Sequence, residues 1–186
     1  DKAGETEAFI GAMNNISAPR VAEVVGRLKP LEFTHLLDIG GASGTWTIEF
    51  LKAAPEARAT IFDLPEVIPM ARDRISAVGL SGRVDFVAGD FYEDDLPAGA
   101  DLAWFGAIAH QNSRRQNREL FAKAWAALQD GGSVIIRDVV MEPSHTAPKF
   151  GALFAVNMLV ATEGGGTYSL QEYTEDLEAS GFTDVT

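Results

Sequence analysis

Short apolar runs alternate with amphipathic stretches along most of the chain. Leu36, Leu37 and Ile39 cluster in HLLDI (35–39), which runs straight into Gly40-Gly41-Ala42-Ser43-Gly44. That predicts a buried strand broken by a tight turn. The spacing then predicts a helix over 45–53 and a second strand over 59–62. A helix opened by Pro65 and reaching about Val78 follows, then strands over 83–88 and 101–105. Ser113-Arg114-Arg115-Gln116 has the form of a capping box, so a helix begins there and extends to Leu128. Asp130-Gly131-Gly132 turns the chain into a β-branched fifth strand, Ser133–Arg137. Phe150–Val160 is apolar enough to be a mostly buried helix. Ser169-Leu170-Gln171-Glu172 is a second capping box, and Gly181 closes its helix. Upstream, residues 16–28 read as a helix stopped by Lys29-Pro30.

Strands separated by helices require right-handed crossovers. The expected fold is therefore α/β: a mostly parallel, doubly wound sheet with helices on both faces. A length of 186 residues suits one such domain, and the pattern shows no internal boundary. The chain starts at Asp1 without a Met and stops in GFTDVT, where a further strand is beginning, so it reads as truncated at both ends. A net charge of −12 disfavours nucleic acid and anionic membrane as partners. The absence of Cys excludes a disulfide scaffold, a thiol nucleophile and Cys-bound metals. There is no metal-ligand spacing such as H-E-x-x-H, and no metal is expected. DKAGETEAFI lacks the blocks of a signal peptide, and a cytoplasmic location is expected.

Where the polar residues fall carries the chemistry. Asp38 lies near the end of strand 1, Asp63 after strand 2, Asp90 after strand 3, His110 after strand 4 and Asp138 after strand 5. In a parallel sheet these positions share one edge, where open α/β sheets bind ligands. The same acids also suit turns and helix N-caps. The glycine-rich turn points to a nucleotide, but it lacks G-x-G-x-x-G, and Asp38 beside it would repel a pyrophosphate while attracting an ammonium or sulfonium. Asp63, 25 residues on, suits a ribose diol, and Asp90-Phe91 an adenine. A phosphate-free nucleoside with a cationic tail satisfies all three, which describes S-adenosylmethionine.

At this point the sequence resembles the class I S-adenosylmethionine-dependent methyltransferases, with their Rossmann-like fold. Within them it is most similar to the small-molecule O-methyltransferases of the caffeate and hydroxyindole type and their bacterial relatives. LLDIGGASGTWTIEF, ATIFDLPEVI and VAGDFYEDDLP resemble that family's successive cofactor motifs. GGSVIIRDVVMEP resembles its strand ending in a catalytic acid, and AFIGAM the run-in from a helical dimerisation domain. The resemblance implies that residues 1–30 lead in from that domain and that 31–186 form the catalytic domain, lacking its last strands. It implies that Asp38, Gly40 and Gly41 line the cofactor's methionine end, that Asp63 holds the ribose with Leu64 beside the adenine, and that Asp90 and Phe91 hold the adenine. His110 matches the general base and Asp138 the acid beside it, and the full-length protein would be a homodimer. The sequence departs from the pattern at Ala42, Gly106, Gln111-Asn112 and Thr167, where relatives carry Gly, Lys, Asp after the His, and a second catalytic Glu; Glu163 lies near the last of these.

A neutral imidazole at His110 can take the proton of a phenol as the methyl–oxygen bond forms, with Asp138 fixing its tautomer. Phe150, Phe154 and Met158 recur at helical spacing. With Asn157 they are expected either to wall a pocket for a flat aromatic acceptor or to belong to the core. Trp104 and Trp125 read as core, and His35 as structural. The expected activity is methyl transfer to a hydroxyl of a small aromatic molecule. A second reading is a methyltransferase-like domain that binds cofactor or serves assembly without turnover. The failed glycine spacing disfavours a nucleotide-dependent oxidoreductase.

Overall fold

A computed structural model of the chain describes residues 20–28 and 32–186. The AFIGAM segment, the start of the expected 16–28 helix and the Lys29-Pro30 stop lie outside them. Residues 20–27 are helical (α1), with Val21 and Val25 buried one turn apart. The chain divides into two compact units, Asp1–Trp104 with Leu128–Val134, and Phe105–Ala127 with Ile135–Thr186. Two of the three divisions pass inside strands and the third falls between α4 and β5, so the hydrophobic pattern carries no trace of them.

The first unit holds β1 (His35–Ile39), α2 (Thr45–Ala53), β2 (Arg58–Asp63), α3 (Ile68–Ala77) and β3 (Val84–Ala88). It also holds most of β4 (Ala100–Gly106) and of β5 (Leu128–Arg137). The five strands form one sheet in the order β3-β2-β1-β4-β5. β1 and β2 run parallel, with His35 opposite Arg58 and Ile39 opposite Phe62. β2 and β3 are also parallel, from Ala59 opposite Val84 to Asp63 opposite Ala88. This register ends the three strands together, so the segments after residues 39, 63 and 88 emerge at one edge. Leu36, Leu37, Ile39, Ile61 and Phe62 are buried on both sheet faces, as parallel strands require. Trp46, Phe50 and Trp104 pack together, with ring centroids 4.8 and 5.0 Å apart. Each such side chain contributes roughly 1.5–3 kcal/mol by burial. Asp101 accepts hydrogen bonds from the Thr34 and His35 amides and the Thr34 hydroxyl, joining the starts of β1 and β4. His35 is buried against Thr60 Oγ1 at 2.8 Å, a structural role as expected.

The second unit holds α4 (Arg114–Ala127), β6 (Val140–Met141), α5 (Lys149–Ala161), β7 (Tyr168–Ser169) and α6 (Leu170–Ala179). Both capping boxes form: Ser113 with Gln116 before α4, and Ser169 with Glu172 before α6. α4 and α6 are tied by Arg114, which reaches Asp176 and Glu175 at 2.8 Å each, and by Arg118 at 3.1 Å from Asp176. β6 and β7 pair in parallel, Val140 opposite Tyr168. Two-residue strands carry no period, so the sequence did not reveal them.

Four expectations are corrected. α3 starts at Ile68, with Pro69 in its first turn, while Pro65 lies in the preceding turn. β5 begins at Leu128 and absorbs Asp130-Gly131-Gly132, Gly131 taking φ 77°. Trp125 is not core: it is 50% exposed, with its ring against Phe182. Most consequentially, α5 is not mostly buried. Only Gly151 and Met158 are buried, while Leu159 and Val160 are 74% and 84% exposed, and Phe150, Leu153 and Val156 are also exposed.

Candidate active site

At the strand edge of the first unit, the turn after β1 is set by backbone geometry. Gly40 and Gly44 take φ 67° and 73°, a region glycine enters at no steric cost. Ala42 takes φ 49°, which strains a residue bearing a Cβ. Gly41 is required for space: a Cβ there would lie 2.9 Å from Ile61 Cγ2 and 3.0 Å from Asp38 Cγ. The Gly40 amide donates to the Phe62 carbonyl at 2.9 Å, which draws the turn across the end of β2.

Asp38 is fully buried, and its Oδ2 accepts the Thr47 hydroxyl at 2.6 Å. Burial pushes its carboxyl up to about 7; the Thr47 bond opposes the rise and the Asp63 charge adds to it. Asp63 accepts the Ala42 amide on Oδ2 and the Leu64 amide on Oδ1, each at 2.7 Å. Burial raises its pKa as well, against those two hydrogen bonds. Among the described residues no Lys, Arg or His bonds either carboxylate. A buried and a half-buried acid side by side, without a cation among the described residues, fit a ligand that brings positive charge and hydroxyl donors, and they do not fit a pyrophosphate.

Asp90 joins this edge through its neighbour Gly89, whose amide donates to the Asp63 carbonyl at 3.0 Å. The Asp90 carboxylate also closes its own turn, accepting the Tyr92 amide at 2.9 Å. The half-buried Phe91 ring packs on Tyr92, centroids 4.6 Å apart, and the Leu64 side chain is exposed nearby in sequence to Asp63. The structure thus brings Asp38, Gly40, Gly41, Asp63 and Asp90 together.

In the second unit, the Ala107 amide donates to the Arg137 carbonyl at 2.8 Å, which brings the end of β4 to the end of β5 just before Asp138. A short 3-10 turn, Ala109–Gln111, then aims His110 back. His110 Nδ1 lies 2.9 Å from Asp138 Oδ1, and the His110 amide donates to Oδ2 at 3.1 Å. The Val139 amide donates to Oδ1 at 2.7 Å, and the Asp138 side chain is 2% exposed. With Nδ1 engaged, Nε2 has no hydrogen-bond partner among the described residues. The turn itself is held firmly. Asn112 bonds Asn117, Asn117 bonds the Ala109 carbonyl, and Tyr168 donates to the Asn112 carbonyl.

The Phe154 ring meets His110 edge-on at 4.9 Å, and Phe150 stacks on Phe154 with a 9° interplanar angle. Of the other expected acceptor contacts, Asn157 is exposed, while Met158 is buried with its carbonyl taken by Thr162. Thr167 is buried and donates to the Gly151 carbonyl, and Glu163 is exposed. Sequence reasoning missed Thr47. A threonine on the buried face of a helix, nine residues after Asp38, was a signal for a buried polar partner. It also missed Tyr92. No cluster that could hold a metal ion occurs among the described residues, and none of their helices is long and apolar enough to cross a membrane.

Comparison with known proteins agrees with this architecture. Residues 1–183 match the O-methyltransferase domain. The chain belongs to that family. It is 37% identical over 151 residues to a 3-hydroxy-5-methyl-1-naphthoate 3-O-methyltransferase of Streptomyces sahachiroi, covering 81% of this chain and 44% of that protein. It is 34% identical over 157 residues to an L-tyrosine C(3)-methyltransferase of Streptomyces lavendulae, covering 82% and 42%. Among solved structures it is similar to human N-acetylserotonin methyltransferase in complex with SAM, at TM-score 0.88 and 26% identity over 98% of this chain and 51% of that one. The chain spans about half the length of the relatives it matches.

Proposed function

We propose that residues 31–186 are the cofactor-binding and catalytic portion of an S-adenosylmethionine-dependent O-methyltransferase. On this reading it methylates a hydroxyl of a small aromatic molecule, with His110 as general base. The observation that carries the reading is the His110–Asp138 pair. Asp138 occupies Nδ1 as an acceptor, so Nδ1 carries the proton and Nε2 presents its lone pair. A base in that state accepts the proton of an attacking hydroxyl, and the carboxylate then stabilises the imidazolium. Such a group contributes roughly 10²–10⁴-fold, with alignment of acceptor and methyl contributing the remainder.

S-adenosylmethionine, when bound, supplies the electrophilic methyl. Asp63 receives the ribose hydroxyls on lone pairs left by Ala42 and Leu64. Asp38, Gly40 and Gly41 take the cationic methionine end, and Asp90, Phe91 and Leu64 take the adenine. The buried Asp38 and half-buried Asp63, with no cation on them among the described residues, support this, as does the SAM complex of the human relative. Phe154, with Asn157 and Met158, lines the acceptor side; the Phe154 ring against His110 supports an aromatic acceptor. The names of the relatives include an O-methylated naphthoate and a C-methylated tyrosine, both aromatic. Residues 1–30 lead in from a dimerisation region, and the exposed apolar face of α5 is surface available to a homodimer. The cytoplasmic location is carried over as the expectation drawn from the sequence.

A second reading, cofactor binding without turnover, is favoured by one observation: Thr167, at the place of the family's second acid, is committed to the Gly151 carbonyl. Calorimetry with S-adenosylhomocysteine, with NAD as control, tests the cofactor, and binding of NAD alone would overturn both readings. His110→Ala in the full-length protein separates them: turnover falls at least about 100-fold with cofactor affinity retained. Unchanged turnover removes His110 as the base.

A further inference from the structure

α6 carries a second buried ionisable ring, Tyr173, in the same unit as the His110–Asp138 pair. Tyr173 is 6% exposed, and its hydroxyl has no hydrogen-bond partner among the described residues. An unsatisfied buried hydroxyl is costly, and its retention calls for a reason. Asp138 shows the complementary need. Its buried carboxylate has room for about four donors, and three are filled by the His110 amide, His110 Nδ1 and the Val139 amide. The chain brings the two groups toward each other. Two residues beyond Asp138, Val140 pairs with Tyr168 in the β6–β7 ladder. The Tyr168 ring packs edge-on against Tyr173, centroids 5.8 Å apart. The Gly166 amide donates to the His110 carbonyl at 2.9 Å, fastening the same loop to the catalytic turn.

We propose that the Tyr173 hydroxyl donates to Asp138 through one bridging water and is a positioning residue for His110. The proposal rests on the reading of His110 as the base. Burial first, and the Asp138 charge second, disfavour ionisation of Tyr173, with Tyr168, Glu172 and Asp176 adding to the effect. The hydroxyl is therefore a permanent donor over the working pH range. A donor on Asp138 fixes the plane of the carboxylate, which in turn sets the orientation of the imidazole.

Tyr173→Phe removes the oxygen alone. A tyrosine that only fills the core would give a variant as stable as the parent or more so, with the His110 resonances unmoved. The proposal expects the His110 Nδ1–H and ring ¹⁵N resonances to shift. It also expects kcat to fall about 2- to 10-fold, the span of one ordinary hydrogen bond, with KM held. A second measurement needs no Tyr173 variant. With only three tyrosines in the chain, the Tyr173 Cζ resonance is assignable. It should move in step with His110 protonation in the parent and lose that response in Asp138→Asn. Unmoved His110 resonances in Tyr173→Phe, or a Tyr173 signal blind to His110, overturn the proposal and leave the base assignment standing. Retained turnover in His110→Ala overturns the base assignment, while the link from Tyr173 to the pair is judged on the resonances alone.

Discussion

Replacing Asp38 with Asn separates what this carboxylate costs the fold from what it gives a ligand. The folded carboxyl holds its proton up to about pH 7, whereas an exposed Asp releases it near 3.8. Between those values the folded state binds more protons than the unfolded one. Stability therefore falls as pH rises from about 4 to about 7, and the penalty is complete above that. At 1.36 kcal/mol per unit, the shift corresponds to a ceiling of about 4 kcal/mol. Asn has the same shape and keeps an oxygen for the Thr47 hydroxyl, so Asp38→Asn removes the penalty without opening a cavity. Urea unfolding of the ligand-free protein should find the variant more stable by about 2–4 kcal/mol at pH 8 and equal to the parent near pH 4. Calorimetry should show S-adenosylmethionine bound at least tenfold more weakly at pH 8, a loss of about 1.4 kcal/mol or more. A variant less stable than the parent at pH 8, or one whose advantage does not shrink toward pH 4, refutes the reasoning.

Two further substitutions test the scaffold. Gly41→Ala sets a methyl 2.9 Å from Ile61 Cγ2, against the interior of β2. It should cost about 1–3 kcal/mol by urea unfolding and weaken S-adenosylhomocysteine binding, because the turn must move to accommodate it. Arg114→Leu leaves the buried Asp176 with Arg118 as its one cation among the described residues and should cost about 2–3 kcal/mol. A loss under about 0.5 kcal/mol would mean that the α4–α6 link is held by packing alone.

The frame of the fold was legible because its signals are local and strong. β1 and α2 lie where the apolar run and its glycine-rich turn place them, and both capping boxes form between the residues that spell them. α5 was misread because an apolar helix looks the same whether its face meets its own core or surface left uncovered by this chain. Periodicity reports an apolar face and not its partner. Trp125 failed for a related reason: one large ring leaning on Phe182 is half covered without entering the interior. At the candidate site, strand ends identified the acids and His110. The groups that complete it were harder to see. The Ala42 and Val139 amides have no sequence signature, and the two-residue β6–β7 ladder that ties the segment after Asp138 to Tyr168 is too short to carry a period.

The acids at the strand ends could be read either as ligand groups or as ordinary caps, and the structure shows amides bound at three of them without excluding a ligand on the lone pairs left over. Asp63, Asp90 and Asp138 each accept at least one nearby backbone amide; Asp63 and Asp90 keep further lone pairs to offer, while Asp138 has about one acceptor site left. Asp38 differs in degree, because both of its donors come from Thr47, a hydroxyl that can rotate and the helix amide behind it. This distinction predicts opposite outcomes for the same chemical change at two neighbouring positions. Asp63→Asn keeps one acceptor oxygen for two fixed N–H donors, so either the Ala42 or the Leu64 amide faces a side-chain NH₂. That should cost about 1–3 kcal/mol at every pH where Asp63 is ionised in the parent. Asp38→Asn keeps one oxygen for the two Thr47 donors and should stabilise, because the desolvated charge it removes outweighs the side-chain N–H groups it buries. Measured side by side in urea at pH 8, the two variants should move in opposite directions. If both stabilise, Asp63 is held as a desolvated charge and not as a clasp between the β1 turn and β2; if both destabilise, the Asp38 carboxylate is paired in solution by a cation.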